Sequence, residues 1–190
     1  MKVHHITPGR SDLNYGKSIN DIIYSLPDED WICLRDIDTI PLHHRVFFKQ
    51  CEEIAESGEY DLISCMTNRL GVAYQLYEGK MSNNFDIEHH VKIAHELYND
   101  YGSKVEDVPN SVLAGVMMLF SRETWVKAGE FPEGGVFVDG RTIDITFTKK
   151  VLKTGGKIGV AKGIYLFHLY RNWVDEPRLN HKHLSKKNKS

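Results

Sequence analysis

The stretch "DEDWICLRDIDTIPL", residues 28 to 42, places a short apolar run between two acidic triplets. The triplets pair Asp28 with Asp30 and Asp36 with Asp38. A triplet of this kind arises by chance about once in a chain of this composition, so its position must decide whether it has a function. Asp28 and Asp30 precede the apolar run in a proline-led turn, where we expect solvated or turn-capping acids.

Asp36 and Asp38 directly follow the apolar run, which the pattern predicts to be a buried strand. In open α/β sheets, ligands bind outside the carboxyl ends of strands. Two carboxylates that converge there suit a hard cation such as Mg²⁺ or Mn²⁺, whose remaining positions go to water and phosphate oxygens. The alternative is a strand-end turn with two solvated acids, and the triplet alone does not separate the two interpretations.

Composition favours one globular domain. The chain has 190 residues, 41% apolar and 26% charged, which is enough for a substantial core and argues against extended disorder. The net charge of -2 gives no electrostatic reason to expect nucleic acid as a partner. We expect neither a signal peptide nor a transmembrane segment, because no apolar run is long enough. Cys33, Cys51 and Cys65 show no C-x-x-C spacing, and two of them lie inside apolar runs. This pattern indicates buried thiols in a reducing compartment, which favours a cytoplasmic protein.

Apolar strand-like runs alternate with amphipathic helical runs, which predicts an α/β domain with a largely parallel sheet over residues 1–175. The last apolar run, "KIGVAKGIYLFHL", is predicted to supply a pair of strands. Residues 176–190 are basic and lack apolar periodicity, so we expect a flexible tail. Such a tail either increases solubility, which we favour, or makes peripheral contact with phosphate or lipid headgroups.

Four blocks follow one another along the chain: "NYGKSINDII", the strand with its Asp-x-Asp, "LAGVMMLFSRETWVKAGEF" and "DITFTKKVLKTGGKIGVAKGIYLFH". In their order and spacing, over roughly residues 11 to 170, these blocks resemble the GT-A glycosyltransferases, especially their family-two-like group. The resemblance implies a single-domain GT-A-like fold, with a mostly parallel sheet flanked by helices and a shortened N-terminal part. It also implies an enzyme that transfers a sugar from a nucleotide-diphosphate donor to a hydroxyl of a glycan, lipid or protein acceptor.

The resemblance further implies a divalent metal bound by the Asp-x-Asp carboxylates. Asp38 would be the direct ligand, and Asp36 would reach the metal through water or contact the ribose. His168, in "YLFHLYR", stands where several family members carry a third ligand, and imidazole suits Mn²⁺ better than Mg²⁺. The alternative for His168 is a partly buried strand histidine bonded to the backbone.

Donor-binding residues also follow from the resemblance. Asn14, Gly16 and Asn20 match the family's Asn-x-Gly-x-x-x-Asn block, and Lys17 lies in the same block at a helix start, where backbone N–H groups favour anions. Arg171 would pair with the diphosphate. For Asn14, a simple helix cap is the alternative.

The catalytic base is where the chain departs from the family pattern. Asp144 fits the last acid of the family's acidic motif, but Arg141 and Thr142 stand at the preceding positions. Asp139 is the nearest substitute for the base that deprotonates the acceptor hydroxyl. Otherwise the enzyme retains configuration or is inactive. The alternatives to a transferase are therefore a catalytically silent GT-A-like binding module, or a nucleotidyl- or phosphotransferase that uses the same Asp pair.

Several histidines lie in adjacent pairs outside these blocks, including His4 with His5 and His89 with His90. Adjacent side chains point apart on a helix or strand, and no further histidine or cysteine follows at zinc-site spacing. We therefore expect solvated surface histidines.

Overall fold

Nine strands and five helices alternate along the residues that the computed structural model describes, which are 1–8, 14–108, 111–138 and 140–169. The strands are β1 (Val3–Ile6), β2 (Trp31–Arg35), β3 (Thr39–Pro41), β4 (Leu62–Thr67), β5 (Val105–Asp107), β6 (Met117–Ser121), β7 (Phe137–Val138), β8 (Arg141–Thr142) and β9 (Ile158–His168). The helices are α1 (Tyr15–Tyr24), α2 (His44–Ser57), α3 (Ile87–Tyr101), α4 (Arg122–Ala128) and α5 (Ile143–Lys153). The α/β prediction is confirmed, but the last apolar run forms one eleven-residue strand and not a pair.

The central sheet has seven strands in the order β1-β2-β6-β4-β9-β3, and β5 also pairs with β9. The prediction of a largely parallel sheet is wrong, because only β1 with β2 and β4 with β9 pair in parallel within the described ranges. Strands β1, β2, β4 and β9 do run in one direction. β6 lies antiparallel between β2 and β4, and β3 and β5 lie antiparallel along β9, which makes the sheet mixed.

Hydrophobic cores lie on both faces of the sheet. Along β2, Ile32 and Leu34 point to the core beneath α1, α3, α4 and α5, while Trp31 and Cys33 point to the core beneath α2. This strand is buried on both faces, as its continuous apolar run predicts. In the described part of the chain, no helix is both long and apolar enough for a bilayer crossing.

One acidic side chain and one histidine that were expected at the surface are instead buried. Asp30 is only 5% exposed, and it accepts hydrogen bonds from the Lys2 backbone N–H and from His4 Nε2, each at 2.7 Å. These bonds, the His4 bond foremost, lower the pKa of the Asp30 carboxyl. His90 is fully buried, with Nδ1 2.7 Å from the Tyr165 hydroxyl. The expectations of a solvated Asp30 and a surface His90 are therefore wrong.

Candidate metal centre

Asp36, Asp38 and His168 come together at one edge of the sheet. Because β2 and β9 run in the same direction, the residues at their carboxyl ends meet there. One ligand atom from each of the three side chains lies within 4.8 Å of the other two. His168 Nε2 is 3.3 Å from Asp38 Oδ1 and 3.9 Å from Asp36 Oδ2. The structure thus places the three metal-ligand candidates in one cluster.

The turn after β2 aims both carboxylates at β9. The Thr39 backbone N–H and hydroxyl both donate to the Asp36 carbonyl, at 3.2 and 2.7 Å. β3 then pairs antiparallel with β9, with Thr39 opposite His168, and the Leu169 N–H donates to the Asp38 carbonyl at 2.9 Å. The backbone of the triplet is therefore fixed against the strand that carries the histidine.

The His168 ring is oriented by the backbone. Its Nδ1 lies 2.8 Å from the Arg69 carbonyl oxygen, and a carbonyl can only accept, so Nδ1 carries the proton. In the neutral ring this leaves the Nε2 lone pair facing the two carboxylates. Metal-binding histidines generally donate their other ring N–H to a carbonyl or carboxylate in this way, which fixes the tautomer.

Asn68, directly after β4, holds the backbone of His168. Its Oδ1 accepts from the His168 N–H at 2.7 Å, and its Nδ2 donates to the His168 carbonyl at 3.2 Å. The Asn68 side chain thus continues the ladder between β4 and β9 after β4 has ended at Thr67. Sequence reasoning missed both Asn68 and Arg69. The one available signal was that a polar "TNR" follows a buried strand whose carboxyl end faces the same edge.

The chemistry of this cluster fits a divalent cation. Two carboxylates and one imidazole form the mixed oxygen and nitrogen set that Mn²⁺ accepts more readily than Mg²⁺. The His168 side chain is 6% exposed, whereas those of Asp36 and Asp38 are 24% and 38% exposed. The cluster is therefore enclosed on the histidine side and open to solvent on the carboxylate side, where water or phosphate oxygens could complete a coordination sphere.

No protein-family model matches the chain, and no curated protein matches its sequence.

Three of the predicted donor-binding residues hold α1 against residues 131–134. Asn14 Oδ1 caps α1 by accepting from the Lys17 N–H at 3.4 Å, and it also accepts from the Gly134 N–H at 2.7 Å. A Cβ on Gly16 would lie 1.9 Å from the Pro132 carbonyl oxygen, so only glycine fits there.

Asn20, the third of these residues, is buried, and its amide bonds to protein through both polar atoms. Nδ2 donates to the Phe131 carbonyl at 3.0 Å, and Oδ1 accepts from the Phe131 N–H and from Trp125 Nε1, each at 3.1 Å. Lys17 is exposed and forms an ion pair with Asp21, whose hydrogen bond raises the pKa of the lysine. In this structure the block therefore ties α1 to the loop that precedes β7.

Asp144 lies in the first turn of α5, beside the segment that contacts the triplet. Its Oδ2 accepts from the Gly115 N–H at 2.6 Å, and the next residue, Val116, accepts from the Asp36 N–H at 3.3 Å. Asp144 Oδ1 accepts from the Ile145 N–H at 2.8 Å. Asp139, Arg171 and the predicted tail lie outside the described residues.

A cavity of about 280 Å³ opens beside the end of β4. Its wall includes the rings of Tyr74, Tyr77 and Tyr101, together with Lys162 and Met66. Tyrosine rings with a nearby cationic and polar rim are suited to the apolar face and hydroxyls of a small polar ligand.

Proposed function

We propose that the protein is a metal-dependent glycosyltransferase that moves a sugar from a nucleotide-diphosphate donor to a hydroxyl acceptor. The observation that carries this proposal is the cluster of Asp36, Asp38 and His168 at the carboxyl ends of β2 and β9. A nucleoside diphosphate is a poor leaving group until the charge that develops on it is neutralised, and a bound Mn²⁺ or Mg²⁺ supplies that neutralisation.

In this proposal each group of the cluster has a distinct task. Asp38 and His168 hold the cation directly, because the Asp38 Oδ1 atom is the carboxylate oxygen nearest to the imidazole Nε2. Asp36 either reaches the cation, directly or through a water molecule, or contacts the ribose of the donor. The carbonyl of Arg69 and the amide of Asn68 keep His168 in place, so the imidazole Nε2 already faces the two carboxylates before any ligand binds.

The acceptor hydroxyl requires a base, and Asp139 and Asp144 are the candidates. Each Asp144 oxygen accepts one backbone N–H bond, which leaves each with further acceptor capacity. The Gly16 N–H of α1 donates to the Gly134 carbonyl at 3.2 Å, and the Ile143 N–H, one residue before Asp144, donates to the Val136 carbonyl at 3.1 Å. The tyrosine-lined cavity is our candidate for the acceptor side of the reaction.

A thermal-shift titration tests the donor site. UDP, GDP, CDP and their sugar conjugates are each added with and without Mn²⁺. A nucleotide at about 100 times its dissociation constant stabilises a protein by about 2.7 kcal/mol. For a chain of this length that corresponds to a rise of roughly 5–10 °C in Tm. We expect such a rise with one base, and only in the presence of Mn²⁺.

Asp38→Asn should abolish that shift while leaving the fold intact, because it removes a ligand charge from a strand-end turn and not a core contact. The matched control is Asp28→Asn in the first triplet, where the carboxylate is 89% exposed and pairs with Arg122. Equal nucleotide shifts in wild type and Asp38→Asn, or no shift with any nucleotide, would contradict the proposal. Binding without sugar transfer would indicate a silent module, and pyrophosphate release from a nucleoside triphosphate would indicate a nucleotidyltransferase.

A further inference from the structure

A second cluster of ligand-type side chains lies on the α2 side of the sheet. His5 comes from β1, Cys33 from β2 and Cys51 from α2, and one nitrogen and two sulfur atoms lie within 4.8 Å of one another. Both cysteines are free thiols with no exposed surface. The metal centre at the strand ends uses none of these residues.

The fold brings the three side chains together through strand pairing and helix periodicity. β1 and β2 pair in parallel with His5 opposite Cys33. Successive strand residues face opposite sides, so His4 turns towards Asp30 while His5 turns towards α2. There the His5 ring lies 5.5 Å from the ring of Phe47, and Cys51 follows Phe47 by one helical turn on the same buried face.

The surroundings favour one thiolate in the cluster. Burial opposes ionisation of Cys33, but hydrogen bonds from Cys51 and His5, together with the charges of His5 and Arg35, outweigh it and lower the pKa of the Cys33 thiol below its ordinary value. The hydrogen bond to Cys33, and burial, raise the pKa of Cys51. A thiolate is the form of cysteine that binds metals.

We propose that His5, Cys33 and Cys51 form a binding site for a thiophilic cation, with Zn²⁺ as its representative. Tetrahedral Zn²⁺ with sulfur at about 2.3 Å and nitrogen at about 2.0 Å sets its ligand atoms roughly 3.5–3.8 Å apart. Atoms that already lie within 4.8 Å reach this spacing by small side-chain rotations. Two thiolates and an imidazole select soft and borderline cations, whereas the carboxylates of the first centre select hard ones. The site does not depend on the proposed transferase activity.

Co²⁺ is the probe for this site, because thiolate ligands give it an intense sulfur-to-metal charge-transfer absorption that oxygen and nitrogen ligands do not. The signal therefore cannot arise from the Asp36, Asp38 and His168 cluster. Full-length protein, reduced and kept anaerobic, is titrated with Co²⁺ and then with Zn²⁺. We expect the band to saturate at one Co²⁺ per chain and to disappear as Zn²⁺ displaces it.

Substitutions identify the ligands. Outer partners that only orient a ligand already change metal affinity by about 10–100-fold, so loss of a direct ligand should cost more than about 100-fold. Cys33→Ser and Cys51→Ser should therefore lose the band at Co²⁺ concentrations that saturate wild type. Cys65→Ser is the matched control, because it replaces an equally buried free thiol on β4 outside the cluster. His5→Gln, on the edge strand, should weaken Co²⁺ binding while both sulfurs remain.

The outcomes separate cleanly. The absence of a band in wild type with three reduced thiols, a band that survives in both cluster variants, or equal loss in Cys65→Ser would each overturn the proposal. Should the cluster variants unfold, wild type supplies the test by differential alkylation. Zn²⁺ should slow the alkylation of Cys33 and Cys51 more than that of Cys65, as read by peptide mass. Equal rates with and without Zn²⁺ would refute the site.

Discussion

Replacing Asn68 by alanine should weaken both the fold and the metal centre, because this side chain stands in for a missing strand residue. Asn68 is 1% exposed, and it satisfies the N–H and the carbonyl of His168. Leaving a buried polar group unpaired costs about 1–3 kcal/mol, so two such groups cost roughly 2–6 kcal/mol. That is a large fraction of the roughly 5–15 kcal/mol by which domains are stable.

The same substitution should reduce affinity for Mn²⁺. His168 would keep its ring bond to the Arg69 carbonyl but lose the two bonds that fix its backbone. Partners that orient a metal ligand in this manner typically contribute 10–100-fold to metal affinity. We therefore expect Mn²⁺ binding, followed by electron paramagnetic resonance, to weaken by about that factor at a temperature where circular dichroism shows Asn68→Ala to be folded.

Urea denaturation measures the loss in the free energy of unfolding of Asn68→Ala. The matched control is Asn99→Ala on the exposed face of α3. The control should change the free energy of unfolding by less than about 0.5 kcal/mol. A loss below about 1 kcal/mol in Asn68→Ala, together with Mn²⁺ affinity equal to that of wild type, would refute the reasoning. It would mean that water replaces the amide and that the backbone of His168 needs no such support.

Two further predictions concern the fold. Gly16→Ala should lower the free energy of unfolding by about 1–3 kcal/mol, because its new methyl group would lie 1.9 Å from the backbone oxygen of Pro132. Gly71→Ala, with nothing within 4 Å of its Cβ, is the urea-denaturation control, and equal losses would contradict the packing argument. Burial lowers the pKa of His90 below its ordinary 6.5, so on acidification the unfolded chain takes up a proton at His90 before the folded chain does. The free energy of unfolding should therefore fall as the pH drops from about 7 to 5. His90→Gln should reduce this pH dependence of Tm, whereas His89→Gln at the exposed neighbouring position should not. An unchanged dependence of Tm on pH in His90→Gln would contradict the claim that the buried imidazole causes it.

The α/β class could be predicted because the signals of strands and helices are local. The apolar run of β2, for example, is visible in the sequence without any knowledge of neighbouring strands. The direction of β6 is not visible, because an apolar strand has the same pattern whichever way it runs. A sheet in which four strands run one way and β6, β3 and β5 run the other way was therefore predicted to be largely parallel.

The part of the site formed by residues directly after a strand could be predicted, because the end of a strand is visible in the sequence. Asp36 and Asp38 follow a strand, and their resemblance to a known motif suggested His168 as a partner; the three do lie together, while their role as metal ligands stays a prediction. Asn68 was invisible, since an asparagine after a strand looks like any turn residue. His90 was misplaced, because its burial depends on a hydroxyl 75 positions away in the chain.

The position of β9 in the sheet determines when the proposed metal centre can form during synthesis of the chain. β9 is inserted between β4 and β3, and its final residue, His168, is 100 positions beyond the Asn68 that supports it. A nascent chain that has made the Asp-x-Asp turn has two carboxylates but no imidazole and no strand against which to fix them. Contacts this distant form late, after most loop-closure entropy has been lost. Tight Mn²⁺ binding would therefore report that β9 has docked, so the ion could be used to follow this step on the ribosome or after dilution from denaturant.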